Sequence, residues 1–451
     1  MNRDEKLVSS ELVAAVIEEA KDRNVEHAEA FFDREEELSI EVREGEVENL
    51  KIAQDAGLGV RVIQSGRLGY AYTTGLTRGD VVGTLEAALA NARAASEDAY
   101  YTLPQPAKNY PELDIDDSSL GEVSLEEKIE LARRIERSGR SFDQLVRITE
   151  QVSYEEVRFE IAIANTEGIS LTSKGSFCGG VAAFVAGKDG DLQTGFSVDF
   201  VRKLKELDVE DIGKEAASKA VRMLGAQRLK TKRVPVIMDP YVVASFLGMM
   251  ASALSAEAVQ KGRSLFAGKV GERVASTEVN IADDGARPGG ILSSPFDGEG
   301  VPTQRTVLVE GGVLQGFLHN SYTAAKDGVS STGNAVRGSF QSPPQLGSTN
   351  FYLSPGKRKP EEIIRETGEG FYLTEVMGMH TANPISGDFS LGAAGIWIHN
   401  GELTTPVRGM VIAGNILELL DRVDAVGSDL RFFASKGAPT IRVANLTVSG
   451  Q

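Results

Sequence analysis

The sequence predicts an α+β protein in which two helix–antiparallel-strand–helix domains precede a large β-rich domain with one buried helix. Two observations support this fold class. In the first and second parts of the chain, helical apolar stripes flank runs in which apolar and polar residues alternate. The last part is rich in glycine and in short apolar runs, with few helical patterns. The length of 451 residues suits two or three domains.

We expect the first domain to span residues 1–98. Its opening helix follows a pair of serines that can cap it, and its apolar side chains form one stripe. Alternation around Ile40 predicts a strand with one buried face, and the step from Ser65 to Gly66 predicts a hairpin. A second helix, over residues 80–96, completes the domain.

Residues 99–121 are expected to form a linker, because they combine three prolines with a run of acidic residues. The central domain, residues 122–230, then repeats the plan of the first. Ser124 and Glu127 have the spacing of a capping box, strands follow, and a helix over 209–224 ends the domain. The sequence leaves open whether this likeness is an internal duplication.

The third domain, residues 231–451, begins with a buried strand over 234–238. Asp239 and Pro240 then cap a long helix, which we predict to run to about Arg263. Beyond it the patterns predict further strands at 307–309, 313–318, 371–376, 396–399 and 441–448. We therefore expect a β-sandwich or a partly closed barrel around one buried helix.

The charge limits the partners of this chain. A net charge of −17 opposes binding to nucleic acid and to anionic membrane surfaces. A single cysteine suits a reducing compartment. The longest uncharged stretch, residues 240–256, is shorter than the roughly 20 residues that span a bilayer, and the sequence starts without a signal-peptide pattern. We therefore expect a cytoplasmic protein with no nucleic-acid or membrane partner.

Common catalytic motifs are missing from the sequence. The four histidines are far apart, and no H-E-x-x-H, nucleophile elbow or P-loop occurs. Cys178 is interpreted as a small buried residue rather than a nucleophile. The best candidates for substrate binding are His380, Asn383 and Asp388, which lie in a polar loop with glycine and proline. The alternative, which loop composition favours, is that these side chains satisfy the loop's own backbone.

Seven segments of the third domain carry a family resemblance. They are GEGVPTQRT at 298–306, STGNA at 331–335, HTANP at 380–384, SGDFS at 386–390, RGMVIAGN at 408–415, APTIRV at 438–443 and NLTV at 445–448. In this order they resemble the TldD/PmbA family, also called the modulator-of-gyrase or U62 peptidase family. The resemblance implies proteolysis of unfolded or small peptides by a heterodimer of a TldD-type and a PmbA-type subunit, with zinc in the TldD-type subunit.

This sequence departs from the TldD-type pattern where zinc would bind. TldD-type members carry H-E-x-x-x-H on the long helix and a further cysteine ligand near the C-terminus. Here Ala256 and Lys261 replace the two histidines, only Glu257 remains, and residues 425–429 contain no cysteine. Zinc needs about three or four protein ligands. The resemblance therefore implies a PmbA-type (TldE-type) chain without metal or other cofactor, with zinc expected only in a TldD-type partner.

Three hypotheses follow. The chain is the non-catalytic subunit of a metalloprotease, paired with a TldD-type subunit or with itself, and it helps to bind an extended peptide, for which strand addition to a sheet edge is a common mode. Alternatively, it is a homodimeric peptide-binding or scaffold protein without a proteolytic partner. The third hypothesis is a metal-independent hydrolase that uses Glu257, or His380 with Asp388, as acid or base. The family's historical link to DNA gyrase gains no support from this acidic sequence.

Overall fold

The computed structural model describes residues 7–450 of the chain. One six-stranded antiparallel sheet organises its first half, in the order β3-β2-β1-β4-β5-β6. Its strands are β1 (His27–Arg43), β2 (Glu46–Gln64), β3 (Arg67–Thr73), β4 (Val146–Asn165), β5 (Ser170–Lys188) and β6 (Asp191–Val201). We call β1–β3 the first half-sheet and β4–β6 the second. The pairing of β1 with β4 joins the halves, so the first and central parts of the chain share one sheet.

Four helices cover one face of this sheet: α1 (Ser9–Asp22), α2 (Arg78–Ala94), α3 (Leu125–Arg140) and α4 (Val209–Arg222). Alternation along β1 explains how one strand serves both pairs of helices. Phe32 packs in the core beneath α1 and α2, whereas Ile40, on the same face, packs in the core beneath α3 and α4. Each half-sheet is thus flanked in sequence by two helices, as predicted.

Local capping fixes where these helices begin. Ser124 and Glu127 form the capping box that the sequence predicts at the start of α3. Thr77 and Asp80 form another, so α2 starts two residues earlier than the predicted 80–96 helix and also ends earlier.

Residues 99–117, which we call the strap, run mainly without regular structure and lead into a 3₁₀ turn at Ser118–Gly121. The side chain of Asn165 donates a hydrogen bond to the carbonyl of Pro104 (2.8 Å). The backbone N–H of Ser176 donates to the carbonyl of Ile115 (2.9 Å), and Ile115 is buried. The segment predicted as a linker is therefore packed along the second half-sheet.

The third part of the chain contains a closed barrel. Its strands are β7 (Lys232–Met238), β14 (Glu369–Met377), β15 (Asp388–His399), β16 (Glu402–Asn415) and β20 (Ile441–Ser449). The sheet closes because β16 pairs with β20, with Ile412 opposite Val448. Of the two predicted alternatives, sandwich or partly closed barrel, the structure has the barrel and closes it, and the α+β fold class is confirmed.

A second six-stranded sheet lies beside the barrel. It contains β8 (Ile281–Asp284), β9 (Arg305–Glu310), β10 (Val313–Leu314), β13 (Phe351–Leu353), β18 (Arg431–Phe433) and β19 (Lys436–Ala438). The short strands β11 (Ala335–Val336) and β12 (Gln345–Leu346) form a separate ribbon, and β17 (Val423–Val426) pairs with β20. Strand β10 is shorter than the predicted 313–318, whereas β15 extends well beyond the predicted 396–399.

The helices of the third part correct two predictions. The buried helix α5 (Pro240–Ala253) begins at Asp239 and Pro240 as predicted, but it ends ten residues before Arg263, and a separate helix, α6 (Ala256–Gln260), follows. The prediction of one long helix was wrong. The structure also contains α7 (Ser321–Asp327), α8 (Pro360–Glu366) and α9 (Ile416–Asp421), which the sequence patterns missed because each is only one or two turns long. Among residues 7–450, no helix has the length and apolar character needed to cross a membrane.

Candidate functional site

The helix α6 carries Ala256 and Glu257 and is followed by Lys261, the residues that the family resemblance sets against the zinc motif. Ser255 adopts an extended conformation and accepts a hydrogen bond from the N–H of Ala258 (3.2 Å), so it caps α6 and breaks the helix that precedes it. The methyl group of Ala256 is fully buried. Glu257 and Lys261 are exposed and pair with each other, with Nζ 2.6 Å from Oε1.

A loop from a distant part of the chain holds α6 in place. The N–H of Ala256 donates to the carbonyl of Leu318 (2.9 Å), and the N–H of Leu318 donates to the carbonyl of Leu254 (3.0 Å). The side-chain amide of Gln260 donates to the carbonyl of Thr323 at the start of α7 (2.9 Å). These contacts explain the break at Ser255, since the backbone there pairs with residue 318 instead of continuing the helix.

His319 follows this contact directly and is buried. Burial lowers the pKa of its imidazole, which keeps the ring neutral at pH 7. Its Nδ1 atom and the hydroxyl of Ser321 have no hydrogen-bond partner within the described part of the chain. Sequence reasoning treated His319 only as one of four scattered histidines, so its position next to the motif helix is new.

The donor groups around α6 do not suit zinc. Neutral imidazoles, thiolates and carboxylates are its usual ligands, and three or four must converge. At the two positions that the resemblance assigns to histidine, this chain has the buried methyl group of Ala256 and the ammonium group of Lys261, which is paired with Glu257. Within residues 7–450, no group of three or more His, Cys, Asp or Glu side chains could hold a metal ion.

The predicted binding loop is exposed, and its polar groups are largely engaged with each other. The side-chain oxygen of Asn383 accepts from the N–H groups of Ile385 and Ser386. The carboxylate of Asp388 accepts from Asn415 (2.9 Å) and Ser386 (2.7 Å), and these hydrogen bonds lower its pKa. These contacts agree with the alternative interpretation, in which the polar side chains form hydrogen bonds within the loop itself.

His380 lies in a short 3₁₀ turn, Met379–Thr381, and its side chain makes no hydrogen bond to another described residue. No hydrogen bond or ion pair in the described chain connects this loop with Glu257. A role for His380, Asn383 and Asp388 in binding peptide therefore stays a prediction.

A buried charge network, which the sequence reasoning missed, links the first half-sheet to the third part of the chain. Arg61 of β2 lies between two carboxylates, with Nη2 2.6 Å from Glu29 and Nη1 2.9 Å from Glu299. Arg337 pairs with the other oxygen of Glu29. All four side chains are almost fully buried. Burial alone would lower the pKa of Arg61, but the two carboxylates raise it above its ordinary value.

This network extends toward the motif helix. The second oxygen of Glu299 accepts from the N–H of Ser321 (2.9 Å), at the start of α7. Asp297, two residues earlier, accepts three backbone N–H groups, from Glu299, Val301 and Ala335. Burial and the neighbouring charge of Glu299 raise the pKa of Asp297 to about 7. The sequence signal was present, since a charge within an apolar strand run such as residues 58–63 indicates a buried partner.

A cavity of about 240 Å³ lies beside this network. Its walls are mainly apolar and come from both the sheet and the third part of the chain: Phe31, Ile161, Leu292, Phe296, Ala335 and Val336. Its polar groups include Asp297 and Arg337, which are already bonded within the network.

A different arginine joins the second half-sheet to the third part. Arg202, at the end of β6, is fully buried and donates only to backbone carbonyls, those of Ile115, Ser176, Gly290, Ile291 and Ser293. Burial without a carboxylate partner lowers the pKa of Arg202 to about 10.

Cys178 is fully buried, as predicted for a small core residue. Burial raises the pKa of its thiol to about 12, so it is not a thiolate at neutral pH. His27 and His399 each face a glutamate at the surface, Glu167 and Glu369 respectively. None of these groups forms a catalytic constellation.

Comparison with known protein families places this fold in a metallopeptidase family. Three family models match in order, described as PmbA/TldA metallopeptidase domain 1 at residues 28–96, central domain at 118–224 and C-terminal domain at 231–450. The chain therefore belongs to the PmbA/TldD family.

Curated relatives and solved structures agree with this assignment. The chain is 28% identical to the metalloprotease PmbA of Escherichia coli O157:H7, covering 98% of this chain and 96% of that protein. It is 30% identical to a metalloprotease of Methanothermobacter thermautotrophicus, covering 98% and 99%. The crystal structure of a putative modulator of a DNA gyrase from Thermotoga maritima superposes with a TM-score of 0.91 at 31% identity, covering 98% and 100% of the two chains. That of TldE from Thermococcus kodakarensis gives 0.90 at 27%, covering 97% and 100%.

Proposed function

We propose that this chain is the PmbA-type (TldE-type) subunit of a two-subunit metalloprotease that acts on unfolded or small peptides. In this proposal the chain holds no zinc and performs no catalysis itself. It supplies part of the subunit interface and part of the peptide-binding surface, while a TldD-type partner supplies zinc. The proposal includes a cytoplasmic location and no nucleic-acid partner.

One observation carries the proposal. The helix α6 lies where the resemblance sets the zinc motif, with its cap at Ser255 and its anchoring to Leu318, but Ala256 and Lys261 occupy the two positions that the resemblance assigns to histidine. An alanine cannot ligate a metal, and the ammonium of Lys261 both repels a divalent cation and occupies the carboxylate of Glu257. Without zinc, a lone exposed carboxylate is a poor catalyst of amide hydrolysis.

The test is co-expression with the TldD-type protein of the same organism, followed by cleavage assays on an unfolded peptide. We expect the complex to cleave and this chain alone to be inactive. Glu257→Gln in this chain should leave the activity of the complex unchanged, whereas Glu→Gln in the partner's own H-E-x-x-x-H motif should abolish it. Metal analysis of this chain alone should give far less than one zinc per chain.

Other results would select the remaining hypotheses. Cleavage by this chain alone, lost in Glu257→Gln, would establish a metal-independent hydrolase. A stable homodimer that binds peptide but ignores every TldD-type protein tested would favour the scaffold hypothesis. A full equivalent of tightly bound zinc in this chain would contradict the proposal directly.

A further inference from the structure

The outer edge of β2 is unpaired along much of its length. Strand β3 pairs only with residues 58–64 of β2, beginning with Leu58 opposite Thr73. Residues 46–57 pair with β1 on their inner side. Among residues 7–450, none forms a backbone hydrogen bond with their outer side. Alternate N–H and C=O groups of this edge are therefore free to bind another strand.

The matching edge in the second half-sheet is covered. Strand β6 pairs with residues 178–188 of β5, which leaves residues 170–177 without a strand neighbour on that side. The strap lies there instead: Ser176 donates its N–H to Ile115 (2.9 Å), and its hydroxyl accepts from the N–H of Asp117 (2.8 Å). The fold thus covers one edge with its own chain and leaves the related edge open.

The open edge also exposes apolar side chains. Ile52 is 68% exposed, Leu50 40% and Val47 36%, and no proline interrupts the strand. A groove of about 390 Å³ lies between this hairpin and the start of α3, with Leu38, Ile52, Val123 and Leu125 among its lining residues. An added strand would gain main-chain hydrogen bonds from the edge and a place for its side chains in the groove.

The negative charge of the hairpin favours a positively charged strand as its partner. Residues 33–56 contain nine acidic and three basic residues, a net charge of −6. The basic side chains are already paired, Arg34 with Glu160, Arg43 with Glu48 and Lys51 with Glu37. A second copy of this chain would bring another −6 to the same edge, so self-pairing is opposed by repulsion, whereas a cationic segment is attracted.

We propose that the outer edge of β2, residues 46–57, binds an extended cationic peptide segment as an added strand. The inference rests on the proposed function and deepens it, because it names the substrate class. Peptide binding is measured on this chain alone, without proteolysis. A negative result would therefore overturn this inference and leave the co-expression test of the proposed function unaffected.

The experiment measures fluorescence polarisation of a labelled ten-residue peptide of alternating lysine and valine. We expect saturable binding that weakens with salt, and binding at least tenfold weaker to the variant Glu46→Lys/Glu48→Lys/Asp55→Lys. The control, Glu310→Lys/Glu361→Lys/Glu402→Lys, makes the same charge change at exposed sites in the third part of the chain and should bind within twofold of the parent. Circular dichroism checks that both variants are folded.

Two further measurements separate strand addition from its competitors. The same peptide with N-methylated amides keeps its charge but loses its donors, and we expect at least tenfold weaker binding. Equal binding of the methylated peptide, or equal binding to both triple variants, would overturn the proposal. So would sedimentation showing a homodimer that Ile52→Lys dissociates, together with no peptide binding, because the edge would then belong to a second copy.

Discussion

Each half-sheet is attached to the third part of the chain through a buried arginine, but the two arginines have different kinds of partner. Arg61 of the first half-sheet is held by Glu29 and Glu299, so its charge is matched by charges. Arg202 of the second half-sheet is held by five carbonyl dipoles, and no carboxylate pairs with it in the described chain. The two half-sheets have the same architecture but are attached by different interactions: one attachment depends on ion pairs and the other on hydrogen bonds.

The largest expected effect is that of removing the charge from Arg61. Arg61→Met leaves Glu299 buried without its ion-pair partner and Glu29 paired only with Arg337, and breaking a buried pair in this way costs about 3–5 kcal/mol. Urea unfolding followed by circular dichroism measures the loss. The double variant Arg61→Met/Glu299→Gln, which keeps the pair of Arg337 with Glu29, should recover part of it, and a loss below about 1 kcal/mol for the single variant would contradict the network.

Arg202→Met should destabilise less. It leaves carbonyls without a donor, at about 1–3 kcal/mol for an unsatisfied buried group, but it also removes a buried charge that has no ion-pair partner. We expect a total loss in that range by the same urea experiment. If Arg202→Met lowered the free energy of unfolding as much as Arg61→Met does, the proposed difference between the two attachments would be wrong.

A pH effect should also distinguish the first half-sheet. Burial, followed by the charge of Asp55, raises the pKa of Asp33 to about 6, and burial with the neighbouring carboxyl of Glu37 raises that of Glu35 to about 7. Raised acid pKa values mean that the folded state holds these protons more tightly. The stability that Asp33 and Glu35 contribute should therefore be fully present below about pH 4 and should be lost as the pH rises to about 7.

The expected contribution of these groups is about 1–2 kcal/mol, reduced by their partial exposure. Asp33→Asn/Glu35→Gln should make the profile less steep over this window, as measured by thermal unfolding at several pH values, while the raised pKa of Asp297 keeps part of the slope in both proteins. The control Glu122→Gln/Glu126→Gln, at exposed positions flanking the start of α3, should leave the profile unchanged. A stability that rises from pH 4 to 7 equally in the parent and in the first variant would refute this assignment.

The smallest effect concerns the strap. Ser176→Ala removes the acceptor for the N–H of Asp117 and should cost about 1 kcal/mol. Hydrogen exchange should then accelerate around residues 115–117, while the amides on the outer edge of β2 already exchange quickly in the parent. Protection of that edge in the isolated chain at low concentration would show that something covers it.

Local signals predicted much of the fold, and tertiary contacts decided the rest. The caps at Ser124 and at Asp239 were predictable because they depend on neighbouring residues. The break at Ser255 was not, since it results from backbone pairing with Leu318, far along the chain. Without that contact, the apolar composition of residues 240–254 favours a continuous helix.

The candidate sites show the same division. The family resemblance sets Ala256 and Lys261 at the two histidine positions of the zinc motif from the sequence alone, and the absence of zinc from this chain stays a prediction. The link between Arg61 and Glu299 joins residues more than two hundred positions apart, and only the fold brings them together. His319 had no distinguishing sequence context, so its place beside α6 could not be predicted.

During synthesis, the sheet of the first half can fold before the barrel of the third part can close. The six-stranded sheet of the first half is complete once Val201 has left the ribosome, so it can form early, although its attachments must wait. Strand β7, by contrast, pairs on one side with β14 and on the other with β20. The barrel therefore stays open until the chain through Ser449 has been made, and until then β7 has unsatisfied edges and the core around α5 is incomplete. We expect this delay to leave the third part open to chaperones and to aggregation for longer than the sheet of the first half in the newly made chain.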